Sequence, residues 1–126
     1  MVDIHNQIFT RLSDKIGSLA KVSGLFVNAP KTLPFISVEE IDNYQSHLSS
    51  GAQKYATLTY EVNVFCEGKT RMSKARKLLG LIDEEMYSMN FTRISMTPVP
   101  NMENSTIYRL TARYRVETDG DTLYRR

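Results

Sequence analysis

The chain has 126 residues, of which 41% are apolar, 10% aromatic and 24% charged. That length supports one helix-on-sheet core but not two, and that composition excludes disordered and fibrous classes. A net charge of +2 is far from the dense positive field of a non-specific nucleic-acid binder.

The single cysteine, Cys66, excludes an internal disulfide and a thiolate zinc cluster and suits a reducing compartment. The N-terminus lacks the basic and apolar regions of a signal peptide, and nowhere do eighteen apolar residues run together. The expectation is a protein that is neither secreted by that route nor membrane-spanning.

Ile4, Ile8, Leu12, Ile16 and Leu19 recur at three- and four-residue steps among polar residues, which predicts a half-buried helix capped by Asp3 and ended by Gly24. Leu25-Phe26-Val27 reads as a short strand before the turn Asn28-Ala29-Pro30. Phe35 to Ile41 reads as a strand whose start or edge is marked by Pro34. Residues 42 to 54 hold only Tyr44 and Leu48 as large apolar groups and read as a long exposed loop of the kind used for contact.

The clearest strand follows. Ala56, Leu58, Tyr60, Val62, Val64 and Cys66 alternate with Tyr55, Thr57, Thr59, Glu61, Asn63 and Phe65, giving one apolar and one mostly polar face. Glu67-Gly68-Lys69 turns the chain into a second helix near Thr70, with Met72, Ala75, Leu79, Ile82, Met86 and Met89 on one stripe and Leu78 on its flank. A strand over 91 to 97 is broken by Pro98 and Pro100, and Asn101 to Ser105 reads as a hairpin tip. In the last strand Tyr108, Leu110, Ala112, Tyr114 and Val116 alternate with Ile107, Arg109, Thr111, Arg113 and Arg115. Residues 119 to 126 read as a frayed polar tail. The reading is one α+β domain over residues 1 to 118, in the order α-β-β-α-β-β, with a mostly antiparallel sheet and helices on one face.

Motifs of catalysis are missing from the sequence. His5 and His47 are far apart and neither belongs to an HExxH pair; Cys66 is in phase with the inward residues of its strand; no GxSxG, GxGxxG or GxxxxGK occurs. Glu39-Glu40 and Asp83-Glu84-Glu85 are adjacent carboxylates that point in different directions, which suits a solvated face better than an acid/base pair. Arg109, Arg113 and Arg115 form a basic stripe on the outward face of the last strand, suited to phosphate or equally to cross-strand pairing with acids such as Glu61. No stacking-aromatic motif of a nucleic-acid reader accompanies it.

Helix two is charged against its own dipole. Lys69, Arg71 and Lys74 lie at the amino end and Glu84 and Glu85 near the carbonyl-rich end, each costing about 0.3 to 1 kcal/mol at low salt. Lys74, Arg76 and Lys77 have no acid three or four residues ahead to offset this. Leu81 lies off the apolar stripe between Lys77 and Glu85. Arg71, Lys74, Lys77, Leu81, Glu84 and Glu85 are therefore candidate subunit-interface residues. In that arrangement identical copies pack head-to-tail and a neighbour's opposite end supplies the counter-charge.

The amphipathic first helix, Leu33-Pro34-Phe35-Ile36-Ser37-Val38, the polar loop, the strand Ala56 to Phe65, helix two and the strand Tyr108 to Tyr114 together resemble the tail terminator, or tail-completion, proteins of long-tailed bacteriophages over residues 1 to 118. The likeness is of element order and residue texture. It implies a hexameric ring that caps the tail tube, stops its elongation and joins it to the head connector or neck protein. It implies no catalytic residues and no cofactor, and a place in the virion tail or neck after assembly in the host cytoplasm. Tyr44, His47, Leu48, Asn101 and Met102 then become candidate contacts to the tube or connector. A head-completion or connector role, a small nucleic-acid-binding module and an enzyme with a site built from distant residues are the other readings, in that order.

Overall fold

The computed structural model describes residues 4–24, 33–46, 55–99, 106–119 and 123–124. Its elements in chain order are α1 (His5–Ile16), β1 (Lys21–Ser23), β2 (Phe35–Ser46), β3 (Tyr55–Cys66), α2 (Arg71–Ser88), β4 (Thr92–Val99), β5 (Tyr108–Thr118) and β6 (Leu123–Tyr124). The long elements follow the expected α-β-β-α-β-β order of an α+β protein.

The sheet runs β1-β2-β3-β5-β4, with β6 also paired to β5. Only the β1–β2 pair is parallel among these pairings; the others are antiparallel. Both helices lie on one face. Ile4, Ile8, Leu12 and Ile16 from the α1 side and Ala75, Leu79, Ile82 and Met86 from α2 share one core with Leu58, Tyr60, Val62, Val64, Ala112 and Tyr114. Period-two alternation in β3 and β5 places those strand residues on the same side. A smaller apolar cluster of Phe35, Phe65 and Ile107 forms on the other side.

Several local expectations change. α1 stops at Ile16, with Gly17 donating its amide to Ser13 at 2.8 Å, so Leu19 leaves the stripe and is 55% exposed. Gly24 does not end the helix. It follows β1, and a Cβ there would lie 2.9 Å from His5 Nε2. The anticipated strand Leu25–Val27 and cap Asp3 lie outside the described residues.

β2 does not yield to a loop at residue 42. It continues to Ser46, paired with β3, with a bulge between Glu40 and Asp42. Backbone pairing holds those polar residues in a strand although their side chains bury little. β4 likewise runs through Pro98 to Val99, which an edge strand tolerates. The anticipated hairpin tip, residues 101 to 105, lies outside the described residues, although β4 and β5 do pair antiparallel.

The segment read as a polar tail contributes β6. Leu123 packs against the core, and its carbonyl accepts a hydrogen bond from Asn90 Nδ2 at 2.8 Å. Asn90 has φ 70°, the left-handed conformation that asparagine tolerates at a helix exit.

Candidate functional site

α2 buries Ala75, Leu78, Leu79, Ile82 and Met86, spaced by three, one, three and four residues along one face. Met72, expected on that stripe, is 54% exposed. No acidic residue occupies the first turn and no basic residue the last, so the unfavourable relation to the helix dipole stands.

The basic half of α2 borders a cleft. Leu19, Pro34, Leu78 and Leu81 supply its apolar surface and Lys74 and Lys77 flank it, enclosing about 270 Å³. The structure thus brings Lys74, Lys77 and Leu81 together, as their helical spacing suggested. Leu81, however, is not an isolated exposed leucine. It is half-buried against the main core, because the chain leaving α1 lies alongside that flank of the helix. Leu19, Pro34 and Leu78 were missed as cleft residues. The only signal for Leu19 was an apolar periodicity that pointed the other way, into the core.

Arg71 opens α2, exposed, and its Nη1 donates to the Gly68 carbonyl at 3.0 Å. Glu84 and Glu85 do not join the cleft, since eleven residues of helix separate Lys74 from Glu85, about 16 Å. Glu85 is held within the chain by Arg11, whose Nε donates to it at 2.8 Å, while Arg11 Nη2 donates to Ser88 Oγ at 3.1 Å. Asp83 accepts a hydrogen bond from Tyr114 at 3.0 Å and pairs with Arg93 at 3.5 Å. Of the three carboxylates read as a solvated face, Glu84 is exposed and Asp83 and Glu85 are half-buried.

The sheet face opposite the helices carries Arg109, Arg113 and Arg115. Glu61 pairs with Arg109 at 3.6 Å and with Arg113 at 3.4 Å, so two of the three cations serve cross-strand pairing. Arg109 Nε also donates to Asn63 Oδ1 at 2.9 Å, an oxygen that Thr111 reaches at 2.6 Å, and its guanidinium lies 5.9 Å from the Phe65 ring centroid. Arg115 is exposed. This network occupies the floor of a second depression lined by Glu39, Ile41, Glu61, Asn63 and Arg109.

Tyr44 stands 67% exposed near the far end of β2. His47, Leu48, Asn101 and Met102 lie outside the described residues. Cys66 is buried in the main core, and burial pushes its thiol above the ordinary value, with Lys74 pulling weakly the other way; a buried, protonated thiol is a poor nucleophile. His5 stacks on Tyr60 at 5.9 Å between centroids. Among the described residues no three His, Cys, Asp or Glu side chains are placed to hold a metal ion, and no helix is long and apolar enough to cross a membrane.

An open, mostly antiparallel sheet covered on one face by two helices, with a lysine-flanked apolar cleft beside the longer helix, defines an α+β domain with a built surface recess. No protein-family model and no curated protein matches the chain. Among solved structures, a chain of the virion of a native gene transfer agent particle superposes with a TM-score of 0.62 at 10% sequence identity, covering 89% of this chain and 91% of that chain. At that identity the likeness is one of fold.

Proposed function

We propose that this chain is a structural virion protein and, within that class, a tail terminator: a ring of copies, hexameric in the family it resembles, that caps the tail tube, halts its growth and joins it to the head connector. The observation that carries this reading is the reciprocal coverage of the fold match. It takes in 89% of this chain and 91% of a chain belonging to a virion particle, so nearly all of each chain shares one fold. The order and texture of the elements, which resemble tail terminators, narrow the role within the particle. The lysine-flanked cleft and the exposed aromatic on β2 are surfaces of the kind that assembly uses.

The test adds the purified chain to tail tubes while they polymerise and images them by negative-stain electron microscopy. The expected outcome is a ring of density at one tube end and growth that stops after addition. Tubes that lengthen normally with bare ends would sink the terminator role, and density found only on head vertices would move the chain to head completion.

A further inference from the structure

Two surfaces at opposite ends of β2 have complementary chemistry, and we propose that the tip of β2 in one copy docks into the α2 cleft of the next copy. The cleft, about 270 Å³, offers Pro34, Leu78 and Leu81 with the 55% exposed Leu19 beside them. Lys74 and Lys77 flank it and make no ion pair with any described residue. An occupant must therefore bring an apolar group together with negative charge.

The β2 tip has that composition. Tyr44 is 67% and Ile41 40% exposed, and Asp42 is exposed on the same face as Tyr44, whereas Glu40, opposite the fully buried Tyr60, turns to the helix side and reaches Asn43 Nδ2 at 3.5 Å. A tyrosine ring fills an apolar recess while its hydroxyl stays at the polar rim, where the two lysines would also meet Asp42, which shares the face of Tyr44. The acidic end of α2 is a weaker source of counter-charge than its sequence suggests, because Glu85 is already taken by Arg11 and Asp83 by Arg93, which leaves Glu84.

Distance decides between one copy and two. Pro34 borders the cleft and Tyr44 sits ten residues further along one strand, about 33 Å away at strand rise. A chain cannot reach its own cleft across that span. The contact is therefore between copies, each giving a tip and receiving one; it is met either by reciprocal exchange in a two-fold dimer or by head-to-tail packing that closes into rings or extends into filaments. This inference rests on the assembly reading above and names the surfaces that reading leaves open.

The test uses two charge-reversed full-length variants, Lys74→Glu/Lys77→Glu and Asp42→Lys, with self-association followed by sedimentation velocity over a concentration series. Each variant alone should associate at least about tenfold more weakly than wild type. An equimolar mixture should recover association, since every reversed cleft then finds a reversed tip. Tyr44→Ala should weaken assembly with no charge change, and thermal melts of all variants check that they fold. Variants that associate like wild type, or a mixture that does not recover, overturn the proposal while a wild-type oligomer leaves the terminator reading standing. A wild type that stays monomeric throughout also overturns it, and capping of tube ends by that monomer would still support the terminator reading. In that case, loss of capping in Lys74→Glu/Lys77→Glu would give the cleft to the tube protein instead.

Discussion

The two halves of α2 carry charges that oppose the helix dipole equally, yet they handle them differently. In the C-terminal half two of the three carboxylates turn back into the chain, Glu85 to Arg11 and Asp83 to Tyr114 and Arg93, with Glu84 exposed. In the N-terminal half Lys74 and Lys77 flank an apolar cleft and find no carboxylate among the described residues. The acidic half is therefore an anchor that ties α2 to α1 and to the sheet. The basic half is a surface whose electrostatic cost has no return among the described residues.

Stability measurements set the scale for that contrast, the largest effect coming from the buried stripe beneath both halves. Ile82 is fully buried, and Ile82→Ala should cost about 2 to 5 kcal/mol in urea denaturation, whereas Lys77→Ala should stay within about 0.5 kcal/mol. Equal costs would mean that Lys77 has a stabilising partner within the chain.

A smaller effect tests the Asp83 link. Burial first, and the neighbouring Asp83 carboxylate second, push the Tyr114 phenol above its ordinary value. The folded state thus resists ionisation; its stability is intact below the unfolded value of about 10 and declines as pH rises beyond it. Tyr114→Phe should lose about 1 kcal/mol at neutral pH through the missing hydrogen bond and should show a shallower decline in melting temperature above about pH 10. An unchanged alkaline slope would mean that Tyr114 is not held by that environment.

The smallest effect belongs to the basic half. Arg71→Glu, at the first residue of α2, should raise stability by about 0.3 to 1 kcal/mol in low salt, fading as salt is added. A loss of stability in the isolated chain would show that the cations serve the fold after all.

The parts legible in the sequence are those governed by local periodicity. Alternation in β3 and β5 correctly put Tyr60 and Tyr114 inward, and the three- and four-residue steps of Ile4 to Ile16 gave the buried side of α1. Features that depend on distant partners were not legible. Arg11 and Glu85 are 74 residues apart, so a helix wheel sees Glu85 only as a misplaced charge. The burial of Leu81 depends on a neighbour that no wheel of α2 contains. The outer half of β2 was hidden because Asp42, Asn43 and Gln45 erase the apolar alternation, although their backbones still pair. β6 is two residues long, too short to show any period.

The bulge in β2 has a consequence for the tip. With the extra residue at Ile41, Asn43 faces Leu58 and Asp42 faces Thr59. Were the ladder straight from Glu39↔Glu61 onward, Asp42 would fall opposite the fully buried Leu58 and Tyr44 would swing to the helix side of the sheet. Pressing an ionised carboxylate against that leucine is far costlier than placing a neutral amide there. One negative charge thus acts as a detent, holding the strand out of step with itself so that its aromatic end keeps a single facing.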